Sequence, residues 1–479
     1  MRSAISISLV GHKRGVVLVV SLSAFVFTFA TTSLTVALPN MVVDLGSDIA
    51  TLQWLMTGYF LANTVALPPL GRVADYFSHK SIFIVGVFVF TMACALAAIA
   101  GSAEQLIALR VLQGLGGAVI MGNAVALLAA SYSPRERGRA VGYYNLALSL
   151  GNISGGAIGG LLVDSFGWRG VFIFVVPLGF LTTALAIVLL REHHQKARGA
   201  RFDWGGTLLL ATSLTSFLLA MTFGQKGNWA SATVGIPLVL SVVAFSTFCL
   251  VEKCLRQPLI DLATFSNFRF TAASVVSALN FLASIPVQML MPFYLQNVLG
   301  YSPTEVGVLL MPLLGLFVVA SPIGGRLSDR WGSRMLSAGG LATAALSMFI
   351  LSTLGPDSSY GVALVGMVLL GGGLGISSSP ATRMGVNAVS REDLAIAAAI
   401  LGMMRNLGKT LGSAVAGTVV VSRLPYYLDQ LSAQAASSTS AAQPAALSAA
   451  IRDTYFFVGL LILAGALLML ACREENASS

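Results

Sequence analysis

Apolar runs of about twenty residues recur from one end of this 479-residue sequence to the other, and they leave few folds open. A helix rises about 1.5 Å per residue, so about twenty residues cross a hydrocarbon layer of ~30 Å. No water is available inside that layer, so every backbone N–H and C=O must be paired within the structure. Only helices and closed barrels achieve this. Barrel strands would show alternating segments of about ten residues, whereas these runs are continuous. Composition agrees: 56% of the residues are hydrophobic and 10% are charged, against about 25% charged in a soluble domain. The fold class is an all-α polytopic membrane protein.

Fourteen spans are read, at 15–38, 51–71, 80–100, 104–129, 137–163, 168–190, 204–223, 231–251, 268–292, 303–325, 335–354, 360–384, 393–421 and 453–472. The run after Lys13 and Arg14 is too long for a signal peptide's apolar core and is read as a retained first span. The stretch Leu424–Arg452, rich in Ala, Ser and Gln, is expected to be a flexible external loop. Cys94, Cys249, Cys254 and Cys472 lack CxxC spacing and read as packing residues. No metal or cofactor site is expected.

The net charge of +9 is distributed by side. With the N-terminus inside, 21 of the 28 Lys and Arg fall on the inner side. Arg169, Lys226, Arg423 and Arg452 fall outside, and Arg110, Arg405 and Lys409 fall inside spans. This positive-inside bias places both termini in the cytoplasm and supports an even number of spans. Cations spread over alternate short loops do not form the single basic face that a nucleic-acid-binding module needs.

GRVADYFSHK (71–80) and GRLSDRWGSR (325–334) are copies of one loop, eight spans apart. Two homologous six-span halves follow, 1–200 and 263–479, with spans 7 and 8 as an inserted hairpin at 201–262. Parallel repeats of this kind place a substrate path between the halves.

These motifs resemble the major facilitator superfamily, specifically its fourteen-span drug:proton antiporter branch (EmrB/QacA type). GRVADYFSHK is similar to the loop 2–3 signature, with Ser78 and His79 where Gly and Arg are usual. RVLQGLGGA (110–118) resembles the span 4 motif, and GNISGGAIGG (151–160) the span 5 antiporter motif, with Gly156 where Pro is usual. QWLMTGYFL (53–61), GWRGVFIFVVPLG (167–179), RFDWGGTLLL (201–210) and MPFYLQNVLGYSPTEVGVLLMP (291–312) resemble further landmarks of the branch. The resemblance implies two six-helix bundles plus a two-helix insertion and a role for Arg110 in proton coupling. Asp75, Asp329 and Arg330 are read as gating charges that latch the cytoplasmic side. Gly151, Gly155 and Gly159, overlapped by Gly156 and Gly160, form GxxxG steps for close helix contact.

Two departures bear on mechanism. Branch members carry an acid in span 1, where this chain has Ala30 in FATTSLTVALP, with Thr35 in place of Asn. Every Asp and Glu falls in a loop or at a span end, and His12, His79, His193 and His194 read as cytoplasmic. Span 13 instead carries Arg405 and Lys409 at i,i+4 with Asn406 between them, and Lys409 replaces the branch's Gly. Two cations on one face call for an anion, water or carbonyls, or for a lysine that itself cycles a proton. Further candidates for the substrate path are Thr31, Thr32, Thr35, Gln53, Asn63, Tyr143, Asn145, Asn280 and Gln288; interhelical hydrogen bonding is the plainer role for each.

The expected function is secondary active export of small neutral or anionic organic molecules in exchange for protons, by a monomer in the bacterial inner membrane. An enzyme is not expected: the spans hold no histidine and the sequence no GxSxG. GMMRNLGKT (402–410) is not a P-loop, since five residues separate its glycines. An importer or facilitator of an organic anion, a channel, and a sensor without transport remain open alternatives.

Overall fold

The computed structural model describes residues 2–76, 78–192, 203–224, 229–255, 260, 262–389, 394–434 and 439–471. The side chains at 2–12, 68–76, 134–135, 394–396, 399, 433–434, 439–441 and 471 lie outside that description, so the Asp75 carboxylate does too. His12, His193, His194 and Cys472 fall outside it as well.

The apolar runs form helices throughout. They are α1 (Arg2–Asp44), α2 (Ile49–Tyr76), α3 (His79–Ala98), α4 (Ala103–Ser131), α5 (Pro134–Phe166), α6 (Trp168–Leu189), α7 (Trp204–Gly224) and α8 (Ala232–Cys254). A short 3-10 turn at Leu262–Ser266 precedes α9 (Phe268–Asn297). Next, α10 (Pro303–Trp331) is interrupted at Leu310. Then come α11 (Ser333–Leu351), α12 (Tyr360–Asn387), α13 (Leu394–Gln434) and α14 (Thr439–Ala471). Among the described residues, twelve helices are long and apolar enough to cross a membrane; α2 and α13 are outside that set. Arg405 and Lys409 lower the apolarity of α13.

The expected loop at Leu424–Arg452 is corrected. α13 continues helical to Gln434, and α14 is already helical at Thr439. Alanine, the strongest helix former, dominates this stretch. The stretch also has a packing face, with Ala446, Ala450 and Ile451 fully buried.

Contacts divide the chain into two compact units: Met1–Leu208 with Pro303–Val308, and Leu209–Ser302 with Leu309–Ser479. In the first, α1 packs on α5 and α6, α2 on α4, and α3 on α4 and α6. The second has the same pairing with every helix number raised by eight: α9 on α13 and α14, α10 on α12, α11 on α12 and α14. The two loop copies therefore belong to two copies of one packing scheme. Helices α7 and α8 have no counterpart in this pairing; Ser213 Oγ donates to the Ser241 carbonyl at 3.1 Å between them, and Leu210 and Phe248 share a buried core with Phe270 of α9 and Leu401 of α13.

One difference between the loop copies reaches the backbone. Gly332 turns α10 into α11 with φ +78°, a left-handed conformation that favours glycine. At the matching place Ser78 is extended, with φ −94° and ψ 132°. His79, where the family has Arg, places its Nδ1 2.9 Å from Asn123 Oδ1 on α4.

Candidate functional site

Glycines in the span 4 motif let α4 touch three neighbours at once. A Cβ at Gly114 would overlap the Tyr59 carbonyl of α2, and one at Gly116 the backbone of Phe90 on α3. Gly117 abuts the Phe27 ring of α1 and Asn63 of α2. This packing seals the turn that carries Arg110, which is 0% exposed. Arginine at this depth could have snorkelled to the headgroups; it does not.

A neutral shell surrounds its charge. Arg110 Nε donates to the Leu55 carbonyl at 3.1 Å, and Nη1 to Gln113 Oε1 at 2.5 Å. The guanidinium carbon sits 4.0 Å from the centroid of the Tyr59 ring. Gln113 Nε2 in turn donates to Cys94 Sγ at 3.0 Å, and Thr31 Oγ1 lies 3.1 Å from Tyr59 Oη. Nη2 has no hydrogen-bond partner among the described residues. Among the described residues, dipoles and a ring face thus hold a permanent cation without a carboxylate in contact. Leu55, Tyr59 and Cys94 were not legible as its shell, because they come from other helices; Gln113 follows at i+3 on Arg110's own helix, and that spacing was the signal that could have found it.

The span 5 glycines serve two partners. Gly151, Gly155 and Gly159 lie against α1, where a Cβ at Gly155 would stand 3.0 Å from the Phe29 carbonyl oxygen. Thr32 Oγ1 donates to Asn152 Oδ1 across this seam at 2.9 Å, and Thr35 Oγ1 to the Thr32 carbonyl at 2.7 Å. Gly156 and Gly160 instead meet the Pro303–Gly307 backbone. There Thr304 N donates to Asp164 Oδ2 at 2.9 Å, and its hydroxyl donates to the same oxygen.

The second unit repeats the seam. Gly408 and Gly412 of α13 lie against the Ala278 and Leu282 carbonyls of α9. This GxxxG step was readable in GKTLG but is outweighed there by the two cations. Lys409, directly after the first glycine, places Nζ 5.1 Å from the centroid of the Phe281 ring. Phe281 meets Phe317 edge-on, with centroids 6.4 Å apart. Asn406 is buried on the same helix, and Arg405 is half-buried one turn before Lys409. Asn280 is buried, and neither of its amide atoms has a partner among the described residues. Gln288 Nε2 donates to Ser284 Oγ at 2.5 Å within α9.

Other candidates lie apart from both clusters. Tyr143 is exposed near the start of α5, its Oη accepting from Arg139 Nε at 3.2 Å, and Asn145 is also exposed. Gln53 and Asn63 are buried on α2, with Asn63 Nδ2 donating to the Gly114 carbonyl at 3.3 Å. Asp329 pairs with Arg383 of α12, inside the same unit, and Arg330 is exposed. Glu252, at the end of α8, is buried at 2% exposure and accepts from Ile260 N at 3.2 Å.

Comparison with known proteins agrees with this architecture. The chain is 32% identical over 408 residues to the tetracenomycin C resistance and export protein of Streptomyces glaucescens, covering 85% of this chain and 76% of that protein. It is 28% identical to the riboflavin transporter RibZ of Clostridioides difficile, over 86% of this chain and 89% of that protein. It is 30% identical to the multidrug resistance protein Stp of Mycobacterium tuberculosis, over 82% and 73%. A bacterial homologue of the lysosomal transporter Spinster, inward-facing and unoccupied, has the same fold with TM-score 0.71 and 15% identity over 96% of each chain. The description "Major Facilitator Superfamily" matches residues 20–413. The chain belongs to the Major Facilitator Superfamily, and is a multi-pass helical membrane protein of that family's transporter architecture.

Proposed function

We propose that this protein is a proton-coupled exporter of small neutral or anionic organic molecules, working by alternating access in a bacterial inner membrane. The observation that carries the substrate charge is Lys409, set over the Phe281 ring with Arg405 one turn away. A cation in contact with an aromatic face presents positive charge to a path and disfavours a second cation there. Export is supported by the similarity to proteins named for resistance and export. Fourteen spans with both termini cytoplasmic, two six-helix bundles (1–200 and 263–479) and the hairpin 201–262 complete the reading. Arg110 then serves coupling, since a buried charge answers strongly to any proton that arrives nearby.

The test is uptake by inverted vesicles carrying the protein, with one anionic and one cationic fluorescent substrate, with and without an imposed pH gradient. Accumulation of the anion that collapses with the gradient is expected. Gradient-independent equilibration would replace the exporter with a facilitator, and preference for the cation would remove the charge argument. The similarity to a riboflavin transporter favours a second reading, import or facilitation of an organic solute, and the same vesicles decide the direction.

A further inference from the structure

A groove of about 520 Å³ opens on the surface of the second unit between α13 and α14. Its polar end is the ion pair Arg423 Nε to Asp453 Oδ2, 3.2 Å apart, with side chains 54% and 31% exposed. Tyr427 Oη donates to the same carboxylate oxygen at 3.0 Å and fixes its position. Below the pair the walls turn apolar: Phe456, Phe457 and Leu460 are 51%, 46% and 46% exposed.

The charges sit where the strongly apolar stretches of two longer helices end. Arg423 follows the apolar stretch of α13, and Asp453 precedes the run from Tyr455 to Leu470 in α14. Such positions lie at headgroup depth, so the groove spans the boundary between headgroups and acyl chains. A cation and an anion side by side above an apolar trough match a headgroup that carries both charges. Guanidinium suits a phosphate through paired N–H donors. The carboxylate suits an ammonium that has N–H groups to donate. An exposed pair contributes little by itself, so exchanging it for a headgroup costs little.

We infer that this groove is a binding site for phosphatidylethanolamine, with Arg423 on the phosphate, Asp453 on the amine and the acyl chains along Phe456, Phe457 and Leu460. A quaternary ammonium headgroup has no N–H to give Asp453. A headgroup with only negative charge would face the carboxylate. The inference does not depend on what the protein transports.

The experiment is Trp fluorescence of Phe456→Trp in lipid vesicles, with the parent protein's emission subtracted. Brominated acyl chains are supplied on phosphatidylethanolamine or on phosphatidylcholine at the same mole fraction. Preferential quenching by the ethanolamine lipid is expected, and loss of that preference when Asp453→Asn is added. Equal quenching by the two lipids in Phe456→Trp alone overturns the site without any disruptive variant. A preference that survives Asp453→Asn removes Asp453 from it. Stronger quenching by the choline lipid would assign the groove to the aromatic rings instead.

Discussion

Arg110 shows how a single side chain can be held by neutral partners. Each contact is replaceable in kind, but each variant leaves a different atom unpaired. Gln113→Leu removes the acceptor from Nη1. A buried donor left without a partner costs about 1–3 kcal/mol, and more when charged. The expected outcome is a lowered midpoint in thermal unfolding of the detergent-purified protein. Tyr59→Phe keeps the ring under the guanidinium and loses only the hydroxyl beside Thr31, so its midpoint should fall less. Arg110→Lys keeps the charge but not the planar fork, and should lower gradient-driven uptake in vesicles by at least about tenfold. Uptake equal to the parent would take Arg110 out of coupling. For Lys409, Lys409→Met should erase the preference for the anionic over the cationic dye while leaving the protein folded, as measured by dye uptake and unfolding midpoint. An unchanged preference would leave the charge argument without its residue.

At the level of elements, the two seams α1–α5 and α9–α13 are built on the same device. Gly151, Gly155 and Gly159 in one, Gly408 and Gly412 in the other, bring helix backbones together where side chains would hold them apart. The residue after the first glycine reaches across each seam: Asn152 to Thr32 in one, Lys409 to Phe281 in the other. Gly408→Leu should therefore separate α13 from α9 and sharply lower the yield of folded protein on size exclusion, more than Gly402→Leu, where a Cβ meets open space. The loop copies give a smaller, cleaner contrast. Gly332→Ser places a side chain at φ +78°, and a left-handed residue costs about 1–2 kcal/mol. Ser78→Gly asks nothing new of an extended position, so its unfolding midpoint should stay near the parent's.

On the scale of the whole molecule, the packing scheme of α1–α6 recurs in α9–α14. Orientation rests on charge: the cations crowd alternate loops, which predicts that the α1–α2 turn is outside and the α4–α5 turn inside. Ser47 and Ser133 lie in those two turns. Single cysteines placed there in a cysteine-free background should react with a membrane-impermeant thiol reagent from opposite sides. Labelling of both from one side would overturn the assignment.

The helical class, the order of the apolar runs and the superfamily were legible, the class and order because they depend on local physics and the superfamily because its motifs are contiguous in the sequence. Backbone hydrogen bonds in hydrocarbon must be satisfied within each helix, so among the described residues length and apolarity mark twelve of the helices as able to cross. What surrounds a charge is a different matter. Gln113 is one turn along Arg110's own helix, but Leu55 and Tyr59 of α2 meet Arg110, and Cys94 of α3 meets Gln113, only after three helices pack. Phe281 lies under Lys409 only because Gly408 lets α13 approach α9. The stretch 424–452 misled because small polar-looking residues suggest a solvated loop, whereas alanine with a partner to pack against makes a helix. Sequence by itself determined that the chain is a helical membrane protein of this superfamily. Tertiary structure decided which dipoles, rings and carbonyls face each buried charge, since those partners are set by interhelical distance and not by neighbours in the chain.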